Sequence, residues 1–72
     1  MKEARCEKDC DVVMQYEVED GARVSEGDVC MMCEVMKMQT YVEAPCDGII
    51  HFVAPLGTTV YSGDLLFTVE EN

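Results

Sequence analysis

The sequence has little positive charge, few aromatic residues, no tryptophan and no long apolar run. Its 72 residues include 5 Lys+Arg against 15 Asp+Glu, a formal net charge of -10. Such an acidic chain, without a cluster of cations, would repel phosphate, which excludes nucleic acid and anionic membranes as partners. No apolar stretch approaches the roughly 20 residues that cross a bilayer, and the charged N-terminal residues do not resemble a signal peptide.

The short length also limits what the chain does. A domain of this size buries only about 60% of the surface that its unfolded chain exposes, which leaves no room for an enclosed enzyme cleft. We therefore predict one small cytoplasmic domain that is not itself an enzyme.

Cysteine, in contrast, is abundant and odd in number, which argues for reduced thiols rather than a complete set of disulfides. The five are Cys6, Cys10, Cys30, Cys33 and Cys46. The first four have spacings close to those of a structural zinc site, so a zinc-binding module is one alternative. Cys30 and Cys33 align, however, with two apolar strand residues of the internal repeat described next, which favours a role as small buried side chains.

An internal repeat organises the chain. When residues 11–36 are aligned with residues 47–72, an offset of 36, six of the 26 pairs are identical, and most pairs between them keep their polarity. Each copy contains Gly-x-x-Val-x-x-Gly-Asp followed by a β-prone run, at 21–28 and 57–64. Two copies of one supersecondary unit are implied, each with a turn at its Gly-Asp pair.

The remaining pattern is one of short strands separated by Gly, Pro or Asp, without a capped helical segment. We predict strands near Val12–Glu17, Arg23–Val24, Val29–Val35, Gln39–Ala44, Ile49–Val53, Thr59–Val60 and Leu65–Glu70. The predicted fold is all-β, a flattened barrel or sandwich of two pseudo-symmetric halves. Residues 1–10 lie outside the repeat and are mostly charged, so we predict a tail at 1–10 and the domain at 11–72.

The segment that joins the two copies contains the residues that point to a function. Met36 and Lys37 join two predicted strands, although a two-residue hairpin normally uses Gly, Asn or Asp to reach positive φ. The thioethers of Met36 and Met38 flank a lysine at a tip where polar residues are usual, which indicates a recognition surface. Lys37 is also the only lysine after Lys8.

These residues resemble a known family. The run Glu34-Val35-Met36-Lys37-Met38, then Ala44-Pro45-Cys46-Asp47-Gly48, then the second glycine motif at 57–64 are similar to the biotinyl domain of biotin-dependent carboxylases. The resemblance implies a barrel-sandwich hybrid in which Lys37, on an exposed hairpin, carries covalent biotin. It also implies that Met36 and Met38, flanked by Glu34 and Val35, form the motif read by a biotin ligase.

The resemblance further implies a carboxyl carrier that serves a biotin carboxylase and a carboxyltransferase. Val35 stands where most members have Ala, a variant that resembles the carriers of eukaryotic acetyl-CoA carboxylases. Because the two copies align without a gap, the chain resembles carriers that lack the protruding thumb of the bacterial acetyl-CoA carboxylase carrier. The resemblance therefore implies a carrier of a decarboxylase, an acyl-CoA carboxylase or a pyruvate carboxylase, or the eukaryotic acetyl-CoA carboxylase type. The alternatives are a lipoyl domain, which modifies a lysine on a similar hairpin, and a zinc-binding or structural β-module without a cofactor.

Overall fold

The computed structural model describes residues 1–8 and 10–71, which form eight strands and, within these ranges, no helix. The strands are β1 Lys2–Arg5, β2 Cys10–Tyr16, β3 Arg23–Val24, β4 Val29–Val35, β5 Met38–Glu43, β6 Gly48–Phe52, β7 Thr59–Tyr61 and β8 Leu65–Glu70. The described ranges therefore contain no helix that could cross a membrane.

The eight strands form two antiparallel four-stranded sheets of matching order, β1-β8-β6-β3 and β5-β4-β2-β7. Strands β2, β3 and β4 of the first copy correspond to β6, β7 and β8 of the second, so each copy contributes strands to both sheets. The structure thus confirms the predicted all-β architecture of two related halves. Three predicted strands, β3, β4 and β8, have the observed bounds. The predicted bounds of β2, β5 and β6 differ by one or two residues at both ends, and those of β7 by one residue at one end.

The predicted Gly-Asp turns are also present and alike in the two copies. The Asp28 side chain accepts a hydrogen bond from the backbone N–H of Ser25 at 2.9 Å. Asp64 accepts one from the N–H of Tyr61 at 2.8 Å. Each carboxylate thereby closes its own turn through an i to i−3 contact, which explains why the repeat retains aspartate at this position.

The prediction of an N-terminal tail was wrong for Lys2–Arg5, which pairs with β8 as strand β1. This strand is the counterpart of β5. Arg5 of β1 pairs with Leu65 of β8, and Glu43 of β5 pairs with Val29 of β4, which is the repeat partner of Leu65. Leu65 follows Val29 by 36 residues, whereas Glu43 follows Arg5 by 38. The connection after β1 is thus two residues longer, and an ungapped repeat search cannot align the two edge strands. Asp9 of the predicted tail and Asn72 of the predicted domain lie outside the described residues.

The core lies between the two sheets. Its largest fully buried side chains are Phe67, Met31, Ile50, Leu66, Val13, Val69, Cys30 and Cys33. Tyr16 and Phe52, which the repeat relates to each other, stack with ring centroids 3.8 Å apart, so the pseudo-symmetry axis passes between them. Phe67 meets Phe52 edge to face at 5.8 Å, and these rings link the sheets at the centre.

The described cysteines act as packing residues. Cys6, Cys30, Cys33 and Cys46 are all buried, with free thiols. Burial, with the nearby Asp11 carboxylate and the Cys6 thiol adding to it, raises the pKa of Cys33 to about 11, so its thiol keeps its proton at neutral pH. Among the described side chains, which do not include that of Cys10, no cluster of three His, Cys, Asp or Glu groups is arranged to hold a metal ion. The described thiols fit the packing interpretation.

Candidate functional site

The predicted hairpin joins β4 to β5 with only Met36 and Lys37 in its turn, closed by the pair Val35 and Met38. Both turn residues have positive φ, 50° for Met36 and 66° for Lys37. This is the backbone of a type I′ turn, which matches the right-handed twist of the flanking strands. The twist of the sheet therefore imposes on two non-glycine residues a conformation that usually selects Asn-Gly.

The side chains at the tip face solvent. Met36 is 89% exposed and Met38 68% exposed, far more than is usual for large apolar groups. Lys37 is also exposed, and within residues 1–8 and 10–71 its ammonium group makes no hydrogen bond or salt bridge. The tip thus presents one unshielded primary amine between two flexible thioethers.

The strand residues before the turn fix the hairpin to the sheet. Glu34 pairs with Gln39 of β5 and with Val12 of β2, and Val35 is partly buried beside Met38. The structure therefore brings the five predicted site residues together on one hairpin, three of them at or beside its tip and two in the strand that supports it.

Replacing Met36 and Lys37 by residues that favour positive φ should stabilise the protein. We expect the double replacement of Met36→Asn and Lys37→Gly to raise the free energy of unfolding by about 1–2 kcal/mol, because Asn and Gly occupy the left-handed region at lower cost. Urea unfolding would show a higher midpoint at an unchanged m-value. The matched control, Met36→Ala with Lys37→Ala, should give no gain; equal stabilisation by both pairs would contradict the argument.

Two polar residues behind the hairpin were missed by sequence reasoning. Asp11 of β2 is buried, and its Oδ2 accepts a 3.3 Å hydrogen bond from the Thr40 hydroxyl of β5. The other oxygen, Oδ1, is buried without a hydrogen-bond partner in the described part of the chain. The sequence offered only the match of Asp11 with Asp47 in the repeat, and Asp47 has a different role, since it accepts from the N–H of Glu26.

The arrangement suits a covalently attached group better than an enclosed one. A primary amine without a partner in the described structure can form an amide, and the protruding tip lets a second protein approach it from several sides.

The chain is similar to a known family of domains and to segments of several carboxylases. Residues 5–69 match the biotin/lipoyl family model, described as "Biotin-requiring enzyme". The chain is 44% identical over 62 residues to methylcrotonoyl-CoA carboxylase subunit alpha, mitochondrial, of Oryza sativa subsp. japonica, covering 85% of this chain and 8% of that protein. It is 40% identical over 60 residues to pyruvate carboxylase of Bacillus subtilis, covering 82% of this chain and 5% of that protein.

A solved structure of a single-chain, multi-domain long-chain acyl-CoA carboxylase has the same fold. It superimposes with a TM-score of 0.78 at 27% sequence identity, covering 97% of this chain and 7% of that one. The chain therefore spans less than a tenth of the length of each of these proteins.

Proposed function

The chain belongs to the biotin/lipoyl family of biotin-requiring enzymes, and from this premise we propose that it is a biotin carboxyl carrier whose biotin is attached to Lys37. The observation that supports this best is the position of Lys37, alone at a two-residue hairpin tip with its amine exposed between Met36 and Met38. A biotin ligase would first use ATP to activate the carboxyl group of biotin. The amine of Lys37, after losing its proton, would then attack the carboxyl carbon, and the activating group would leave as the amide forms. The lysine loses its charge in this step and gains a long flexible arm.

The residues of the chain supply attachment, position and reach. Met36 and Met38 present apolar surface for recognition by the ligase, while Glu34 and Val35 fix the hairpin from which the amine extends. When attached, biotin supplies a ring nitrogen that takes up a carboxyl group at one active site and releases it at another. Tethering keeps that group at a high effective concentration near each partner site, so a small rigid body is sufficient.

The proposed partners are a biotin carboxylase and a carboxyltransferase. The proposed acceptor is an acyl-CoA or pyruvate, because the relatives above are named as carboxylases of methylcrotonoyl-CoA, pyruvate and long-chain acyl-CoA. The narrower proposal is a carrier of acetyl-CoA carboxylase, supported by the resemblance of the Val35 variant. The matching strand order of the two halves supports a carrier without a thumb. A cytoplasmic location and a lack of membrane partners stay predictions.

The test is the intact mass of the chain after incubation with biotin ligase, ATP and biotin. We expect a gain of one biotinyl group in the wild-type chain and in the Lys8→Arg control, and no gain in Lys37→Arg. Retention of the gain in Lys37→Arg would place the modification elsewhere. If the folded wild type gains no mass, incubation with lipoate ligase would test the lipoyl alternative.

A further inference from the structure

Three large apolar side chains lie together on the solvent face of the sheet β5-β4-β2-β7. Tyr41 of β5 is paired with Met32 of β4. On its other side Met32 is paired with Gln15 of β2, next to the bulge at Met14. Tyr41 is 54% exposed, Met14 is 46% exposed, and Met32 is partly buried between their strands. We call Met14, Met32 and Tyr41 the apolar patch; contiguous exposed apolar groups mark surfaces that contact another molecule.

The bulge in β2 adds Met14 to this face. Val13 before it is fully buried and Tyr16 beyond it stacks in the core, whereas Met14 and Gln15 are both exposed. The equivalent strand of the second copy, β6, pairs with β8 without a register shift and so has no residue at this position. A bulge re-aims side chains at the surface of a sheet, and here the re-aimed side chain is a methionine in solvent.

The pseudo-symmetry of the fold supplies an internal comparison for the patch. Thr68 of β8 corresponds to Met32, and Glu3 of β1, which pairs with Thr68, corresponds to Tyr41. The other half of the same fold therefore has polar residues at these two positions. Because the packing of the two sheets does not require apolar side chains there, the apolar patch serves contact with another molecule.

Carboxylates surround the apolar patch. Glu34 of β4 and Glu43 of β5 lie on the same face, each two positions along its strand from a patch residue. Glu17 is held beside the patch by a 3.0 Å hydrogen bond from the side chain of Gln15. The four strands of this sheet contain no lysine or arginine. A second copy of the chain would bring two negative rims together, so the surface fits a partner with an apolar centre and cations around it.

The apolar patch lies behind the hairpin tip rather than at it. Tyr41 follows Lys37 by four positions, about 13 Å at the rise of a strand. A protein that covers the patch therefore leaves the amine of Lys37 uncovered. This arrangement suits a carrier whose body rests on an enzyme while its arm extends past the contact into the active site.

We propose that the apolar patch and its acidic rim are the surface through which the chain docks on biotin carboxylase, an inference that rests on the function proposed above. An enzyme that carboxylates biotin from ATP and bicarbonate must gather two anions, so the mouth of its active site is positively charged and complements the rim. The patch is small, as in transient complexes, which allows the carrier to leave for the carboxyltransferase after each carboxylation.

Steady-state kinetics with the biotin carboxylase of the same organism test this surface. The substrates are the fully biotinylated wild type, Met32→Thr, which copies the residue of the other sheet, and Tyr41→Ser, and the readout is ATP hydrolysis. We expect KM for each variant to rise about tenfold at unchanged kcat, because truncation of a central interface residue weakens binding to about that extent. Tyr41→Ser decides the test if Met32→Thr does not fold.

The matched control is Val53→Thr. Val53 is 51% exposed directly after β6, outside the apolar patch, so this variant removes a similarly exposed apolar group. Its KM should equal that of the wild type. An equal rise in KM for the control would show that any exposed apolar group has the same effect, which would overturn the assignment of the surface.

Ionic strength supplies a second readout. Added salt should raise the KM of the wild type, because it screens the acidic rim from cations of the partner. Glu43→Gln should weaken this dependence, and Glu3→Gln on the other sheet should not. Equal KM values for all patch variants, or a biotinylated wild type that biotin carboxylase does not use, would overturn the docking surface while leaving the attachment of biotin intact. A wild-type chain whose mass does not increase with biotin ligase would overturn both proposals.

Discussion

Gly48→Ala should unfold most of the protein at room temperature or leave it only marginally stable. Gly48 begins β6 with φ of 155°, and a Cβ atom there would lie 2.2 Å from the backbone carbonyl oxygen of Glu70. Because that oxygen belongs to the backbone, no side-chain rotation can relieve the contact and the β6–β8 ladder must shift. We expect a loss of about 4 kcal/mol or more, at the upper end of single substitutions.

The matched control for this variant is Gly57→Ala. Gly57 also has positive φ, 82°, but an added Cβ would meet no atom within 4 Å. We expect a loss of about 1–2 kcal/mol, from the left-handed backbone alone. Chemical denaturation of the two variants separates the cost of the clash from the cost of the conformation; equal losses would show that the backbone near Glu70 yields freely.

Phe67→Ala should have a comparable effect through a different mechanism. Phe67 is fully buried and meets Phe52 edge to face, and Phe52 stacks in turn on Tyr16 of the opposite sheet. Removing the ring leaves a cavity between the sheets and is expected to cost about 3–5 kcal/mol. A domain of 72 residues has a total stability of roughly 4–11 kcal/mol, so the variant should lose a large share of its stability.

Phe67→Leu serves as the control, because it keeps most of the volume. Its loss should be about 1–2 kcal/mol, as expected for a swap between large apolar side chains. Thermal unfolding followed by circular dichroism would rank the three proteins. A Phe67→Ala variant as stable as Phe67→Leu would mean that the surrounding rings collapse into the cavity.

The strands that sequence reasoning located well are those with a strong apolar pattern between turn residues. Val29–Val35 and Leu65–Glu70 have the predicted bounds because each follows a Gly-Asp turn and is rich in apolar residues. Strand β1 could not be located in this way, since only Ala4 of its four residues is apolar and buried. The close approach of Gly48 to Glu70 was likewise beyond sequence reasoning, because it depends on the spacing between two strands.

The candidate site also has one part that the sequence predicts and one part that it does not. The hairpin and its exposed lysine follow from local sequence, since the seam of the repeat fixes the turn at Met36 and Lys37. The pairing of Asp11 with Thr40 joins residues 29 positions apart in the chain and depends on the register of three strands. No local pattern reports such a contact, so it became visible only in three dimensions.

The charged side chains of β1 also bear on how copies of the protein behave towards one another. An outermost strand has unpaired backbone groups that can recruit a strand from another molecule and begin aggregation. Lys2, Glu3 and Arg5 are all exposed on this strand, and Arg5 is held by a 2.8 Å ion pair with Glu3. Such charges oppose the desolvation that edge-to-edge association requires. The charged composition that prevents the prediction of β1 from the sequence thus also protects the open edge of its sheet from self-association.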